Sequence, residues 1–134
     1  MPNPSAQLFE KAMSGRTAHL LGRWGERLVC DYLRERNWRI REVNYRCRFG
    51  ELDIIAEKGI YIAFVEVKMR KNDRFGMPRE AVTQEKQRKL RATAELYLQE
   101  HPTLRQPRFD VAEVYAPNGA NKADTTITYI ENAF

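Results

Sequence analysis

One stretch constrains this chain more than any other: Gly50 to Lys68, GELDIIAEKGIYIAFVEVK. It reads as two β-strands joined by a tight turn at Lys58-Gly59, the first short and the second strongly apolar. With those two residues as the turn, Glu57 sits opposite Ile60, Ile55 opposite Ile62, Asp53 opposite Phe64 and Glu51 opposite Glu66. Opposed residues share a face and side chains alternate along a strand. Glu51, Asp53, Glu66 and Lys68 therefore point to one side, together with Ile62 and Phe64. Asp53 and Glu66 become diagonal neighbours, roughly 7–8 Å apart at the backbone. That is near enough for two carboxylates to converge on one ion. A three-residue loop would change the parity and separate them.

A pair of acids on a strand is usually a solvated face. The strand bearing Glu66 and Lys68, IYIAFVEVKM, is too apolar for the surface on either side. Like charges held together there repel, and burial adds a desolvation cost. A divalent cation between the carboxylates, with Lys68 beside them, relieves both.

The chain has 134 residues, enough for one domain with a core and too few for two. Lys plus Arg number 23 against 18 Asp plus Glu, a net charge of +5 that suits a polyanionic partner without requiring one. The first residues contain no apolar signal-peptide core, and no stretch is long enough for a transmembrane helix. Cys30 and Cys47 lack metal-ligand spacing, so free thiols in a cytoplasmic protein with no membrane partner are expected. His19 and His101 are isolated, which argues against zinc.

Residues 1–15, rich in Pro, Ser and Gly, are expected to be a flexible segment ahead of a domain over 16–134. A helix follows from Thr17 or Ala18 to about Asn37, with Leu21, Leu28, Tyr32 and Leu33 inward and Arg23, Arg27 and Arg34 on the other side. Glu26 lies within the stripe beside Gly22 and Gly25. It either faces the core, aimed at something, or reaches water from the stripe's edge. A strand around Trp38–Tyr45 leads to a basic connection. Here Arg46 and Arg48, with Tyr45 and Phe49, suit phosphates and bases, or else line a solvated edge.

After Lys68 the loop MRKNDRFGMP places Arg70, Lys71 and Arg74 where a substrate could be covered. A short turn over Pro78–Val82 and a main helix capped by Thr83 run to about Glu100. Val82, Leu90, Ala94 and Tyr97 mark its inner face. Lys86 falls among them, either facing the site with Lys89 or snorkelling to water. His101-Pro102 ends the helix. PRFDVAEVYA and TTITYIENAF supply two further strands. The order α-β-β-β-α-β-β predicts a single α/β (α+β) domain with a mixed five-stranded sheet flanked by helices.

Glu26 on a first helix, GELD at Gly50–Asp53 and FVEVK at Phe64–Lys68 together resemble the PD-(D/E)xK nuclease superfamily, with its restriction-endonuclease-like fold shared by Holliday-junction resolvases. More closely, WGERLVCDYL, NYR, GELDIIA, FVEVKMR, FGMPREAV with Lys86, and the terminal ENAF resemble the YraN-like family of small bacterial proteins. The resemblance covers nearly the whole chain. It departs from the superfamily's name only at Leu52, where that name has proline.

The resemblance implies that Asp53, Glu66 and the carbonyl of Val67 hold Mg²⁺ or Mn²⁺, with Glu26 binding directly or through water. Lys68 would orient or activate the attacking water. It implies a metal-dependent endonuclease acting on DNA rather than RNA, with a preference for branched or structured substrates, and a homodimer. The competing expectation is a non-catalytic module that keeps the fold for nucleic-acid or protein binding. The presence of Glu26, Asp53, Glu66 and Lys68 together favours the enzyme.

Overall fold

Hydrophobic residues at every position of Ile62–Val65 demand cover on both faces of the strand, and a helix on each face supplies it. The computed structural model describes residues 4–71 and 82–134, with side chains described from residue 19 onward. Its elements are α1 (Pro4–Glu35), β1 (Arg39–Cys47), β2 (Gly50–Lys58), β3 (Tyr61–Arg70), α2 (Gln84–Glu100), β4 (Gln106–Tyr115) and β5 (Thr126–Ile130), with one 3₁₀ turn at Lys122–Asp124. The five strands form one sheet in chain order, β1-β2-β3-β4-β5. Every pairing is antiparallel except β3 with β4, which α2 connects as a crossover. This is the α-β-β-β-α-β-β mixed sheet that the strand and helix signals predict.

On one face α2 packs Leu90, Ala94 and Tyr97, with Val82 just ahead of it, over Leu52, Ile55, Ile62 and Phe64. The buried Leu90, Thr93, Ala94 and Tyr97 are three or four residues apart, the spacing of one helix face. A side chain the size of Leu90 taken from water contributes about 1.5–3 kcal/mol. Thr83 caps the helix, its hydroxyl accepting from the Lys86 N–H at 3.2 Å, and this fixes where Lys86 and Lys89 start. On the other face α1 sets Val29, Cys30 and Leu33 against Ile54, Ala63, Val65 and Ala112. Gly25 permits the approach to β3, since a Cβ there would lie 2.2 Å from Met69 Sδ. Both cysteines are free, Cys30 being buried.

Three expectations are corrected. First, α1 begins at Pro4 rather than near Thr17. Pro4 suits a helix's first turn, and Ala6–Met13 are mostly strong helix formers whose weight exceeds that of the flanking Ser and Gly. Second, the β2–β3 turn is Gly59-Ile60, because Lys58 pairs with Tyr61 and Glu57 with Ile62. Gly59 adopts φ +56° as the first of the two central residues, a conformation glycine takes without strain. Third, β1 runs on to Cys47, so Arg46 belongs to a strand and not to the connection. The turn expected from Pro78, and Arg74, lie outside the described residues.

A buried polar cluster ties the last strands together. Asp110, fully buried, accepts from Arg108 Nε and Nη2 at 2.9 Å each, from the Tyr129 hydroxyl at 2.6 Å and from the Asn132 N–H at 2.8 Å. The Arg108 guanidinium lies 5.1 Å from the Trp38 ring centre and 4.8 Å from that of Tyr61. Burial, and then the Asp110 charge, push the Tyr129 phenol far upward. It stays a donor, which satisfies the carboxylate on all sides.

Candidate functional site

Regular alternation fails at one point of the sheet, and the site is built there. In β2, Leu52 packs on the α2 face while Ile54, two residues on, packs on the α1 face. Side chains two apart along a regular strand share a face. In β1, Tyr45 pairs with Leu52 and Val43 with Ile54, the same register on both sides of Asn44 and Asp53, which the pairing skips between them. Asn44 has φ +56°, a left-handed conformation that asparagine tolerates better than most residues. Asp53 sits at this break, between the two layers. The β2–β3 ladder ends at Ile54–Val65, and Asp53 takes over from the backbone: its Oδ2 accepts the Val67 N–H at 2.8 Å.

The shifted turn alters which acids meet. Continued one step beyond Ile54–Val65, the register sets Asp53 opposite Glu66 rather than diagonal to it. Burial, and then the Glu66 charge, raise the Asp53 carboxyl to about 7 from the usual 3.8. Glu26 adds to that rise from further off.

Glu66 is 6% exposed, and two ammonium groups compensate it. Lys86 Nζ lies 2.5 Å from its Oε1 and Lys68 Nζ lies 3.5 Å from the same atom. Burial, and then the Lys86 cation beside it, lower Lys68, leaving it readier than an ordinary lysine to give up a proton. For Lys86 burial pulls the same way, but the hydrogen bond and charge of Glu66 outweigh it and raise the group. Lys86 is thus the lasting counter-charge and Lys68 the more labile one.

Glu26, half-buried on α1, accepts a hydrogen bond from Asn44 Nδ2 at 3.1 Å. A cavity of about 390 Å³ opens beneath the start of α2, walled by Glu51, Asp53, Glu66, Lys86 and Lys89. A second, of about 250 Å³, lies on the α1 side and shares Glu51 and Asp53 with it.

Among the described residues no three His, Cys, Asp or Glu side chains are gathered closely enough to hold a metal ion. The donor chemistry nevertheless fits one held by two carboxylates. Mg²⁺ keeps several waters and needs only one or two carboxylates, and hard oxygen donors select it or Mn²⁺. After burial, it is the Glu66 charge that raises Asp53, and that imbalance is what such an ion removes.

The family model described as "Uncharacterised protein family UPF0102" matches residues 25–114, a span from Gly25 to Val114 that takes in Glu26, Asp53, Glu66, Lys68 and Lys86. The chain belongs to the UPF0102 family. A UPF0102 protein of Alkaliphilus metalliredigens is 47% identical over 115 residues, covering 85% of this chain and 96% of its own. One from Syntrophomonas wolfei is 44% identical over 115 residues with the same coverage. Another, from Thermodesulfovibrio yellowstonii, is 42% identical over 118 residues, covering 85% of this chain and 95% of its own.

In this UPF0102 chain the residues expected at the site are not all brought together. Asp53, Glu66, Lys68 and Lys86 converge, with Val67 joined through its N–H. Glu26 faces the second cavity and is held by Asn44. Arg46 lies on that cavity's rim, paired with Glu51 at 3.3 Å. Lys89 lines the first cavity and pairs with Glu85 at 3.6 Å. Arg70 pairs with Glu113 on β4 at 3.5 Å, and Arg48 turns over Phe49, 4.8 Å from its ring centre, beside the outer side of α2. Neither borders the two cavities. Lys71 is exposed at the end of β3. Asn44 is the residue that sequence reasoning passed over. Its signal was an asparagine inside a strand pattern, which marks a local break. No helix among the described residues is long and apolar enough to cross a membrane.

Proposed function

We propose that this chain is a metal-dependent nuclease that hydrolyses phosphodiester bonds in DNA, with the site arrangement of the PD-(D/E)xK superfamily. The observation that carries the reading is the meeting of Asp53 and Glu66 beside two lysines, where burial and then the Glu66 charge lift Asp53 to about 7. Structural ion pairs relieve charge, whereas here one carboxylate is left opposed by another, an arrangement more typical of sites than of scaffolding.

Asp53 and Glu66, with the Val67 carbonyl, are the groups that hold Mg²⁺ or Mn²⁺, and Glu26 approaches from the α1 side. When bound, the ion supplies a Lewis acid for the phosphoryl oxygen and neutralises the carboxylates. Lys68 orients the attacking water and offers charge to the phosphate as negative charge grows there. Lys86 fixes Glu66, and Lys89 at the cavity wall attracts the phosphate. The resolvase-like arrangement includes a homodimer in this reading.

Calorimetric titration of Mn²⁺ into the wild type, Asp53→Asn and Glu66→Gln tests the assignment. Binding to the wild type that is lost in both variants, with circular dichroism unchanged, is the expected result. Binding unchanged in both would remove the site.

One observation favours a second reading. Glu66 is already satisfied by Lys68 and Lys86, so a module binding nucleic acid or protein without catalysis needs no ion there. Salt-sensitive DNA binding that ignores Asp53→Asn, with no cleavage in Mn²⁺, would select it.

A further inference from the structure

The two cavities at the carboxylates adjoin a third. It lies between α1 and β1, measures about 390 Å³, and shares Arg23, Glu26 and Asn44 with the second. The three are therefore linked, by Glu51 and Asp53 at one junction and by Arg23, Glu26 and Asn44 at the other. Together they make one trough that starts beneath α2, passes the acids and runs along α1.

Its α1 wall carries three arginines beside Glu26 and Asp31. Arg23, Arg27 and Arg34 are separated by four and then seven residues, which puts them on one stripe of a helix. All three are exposed and border the third cavity. Among the described residues Arg23 and Arg27 form no ion pair. Arg34 has only an exposed one, with Asp31 at 3.7 Å. The acid nearest in sequence, Glu26, is occupied by Asn44, which leaves the two arginines free for an anion. At the far end Lys86 and Lys89 stand among Glu51, Asp53, Glu66 and Glu85, Lys86 paired with the buried Glu66 and Lys89 with the exposed Glu85.

We propose that this trough carries a single polynucleotide strand, its phosphates running along Arg23, Arg27 and Arg34 on one side of the Asp53–Glu66 pair and reaching Lys89 on the other. Eleven residues of helix span about 16 Å, the length of about four or five stacked nucleotides. The two outer cavities, about 390 Å³ each, are the size of a pocket for one small ligand, and the one between them, about 250 Å³, is smaller, so the trough admits successive nucleotides of one strand and not a duplex. The arginines position the backbone without reading bases, as phosphate contacts do. This deepens the nuclease reading by naming its substrate as single-stranded, but strand binding does not depend on cleavage.

The test measures fluorescence anisotropy of a labelled single-stranded oligodeoxynucleotide and of its duplex, in EDTA, between about 50 and 200 mM salt. Arg23→Ala/Arg27→Ala is expected to reduce the slope of log K against log salt by about 1.4, since each lost phosphate contact on a single strand removes about 0.7. Arg23→Lys/Arg27→Lys, which keeps both charges, is expected to restore most of it. An unchanged slope in the alanine variant, duplex bound more tightly than single strand, or no binding by the wild type would each overturn the proposal. Cleavage of the same oligonucleotide in Mn²⁺ separates the two readings. A lowered slope without any cutting keeps the trough and removes the nuclease. Cutting and binding unaffected by the arginine changes keeps the nuclease and removes the trough.

Discussion

Val67 donates its backbone N–H to Asp53 Oδ2 at 2.8 Å, so the strand that carries Glu66 also anchors the carboxylate that Glu66 repels. The anchor matters because Asp53 stands where side-chain alternation fails in β2, at a position that the β1–β2 pairing skips between Val43–Ile54 and Tyr45–Leu52. A hydrogen bond to the charged form favours ionisation, yet burial and Glu66 outweigh it. The site holds an acid in place against its own electrostatics.

That conflict has a pH signature. Asp53 is raised to about 7 from 3.8, so between those values the folded chain keeps a proton that the unfolded chain has lost. Stability of the metal-free protein therefore falls as pH rises through this window, and the loss is complete above it. Asp53→Asn removes the penalty. Its Tm in EDTA should exceed that of the wild type by about 5 °C at pH 8 and match it near pH 4. Thermal melts across this range check the point, and equal melting temperatures at pH 8 would contradict it.

Glu66→Gln should act with the opposite sign. It leaves Lys86 and Lys68 facing one another without the carboxylate that holds them, and costs about 1–2 kcal/mol. Urea denaturation at pH 7 measures it. A more stable variant would mean that the lysines need no partner there.

How much of this was legible beforehand depended on whether local pattern decided it. The Thr83 cap, the inward row of Leu90, Ala94 and Tyr97, and the strand order all follow from periodicity and capping chemistry that act over a few residues. Lys86 stood out within an apolar face, and its partner is the buried Glu66. The meeting of Asp53 and Glu66 was expected for a partly mistaken reason. Sequence pattern puts the turn at Lys58-Gly59, one residue before its place in the fold, and strict alternation fails at Asp53, across from the left-handed Asn44 on the neighbouring strand. A single φ value on β1 is not visible in the pattern of β2. The Asp110 cluster was missed because its partners, Arg108, Tyr129, Asn132 and the Trp38 ring, come from segments that only the fold brings together.

Asp110 also separates scaffold from site. Asp110→Ala leaves Arg108 with only the longer contact to the exposed Glu131 at 3.9 Å and frees the Tyr129 hydroxyl, so a loss of about 3–5 kcal/mol is expected. Mn²⁺ affinity of the fraction that remains folded should be unchanged, as calorimetry at low temperature can establish. A selective loss of metal binding would draw this cluster into the site.

The most direct measurement is metal-dependent cleavage of end-labelled single-stranded, flapped and four-way-junction DNA by the wild type, Asp53→Asn and Lys68→Ala. The account predicts cutting by the wild type in Mn²⁺ or Mg²⁺, none in EDTA, and at least a hundredfold loss in both variants, on the scale of about 10²–10⁴ for removal of a catalytic group. Cutting that persists in the folded Asp53→Asn and Lys68→Ala proteins, or its absence from the wild type on every substrate in either metal, would contradict it.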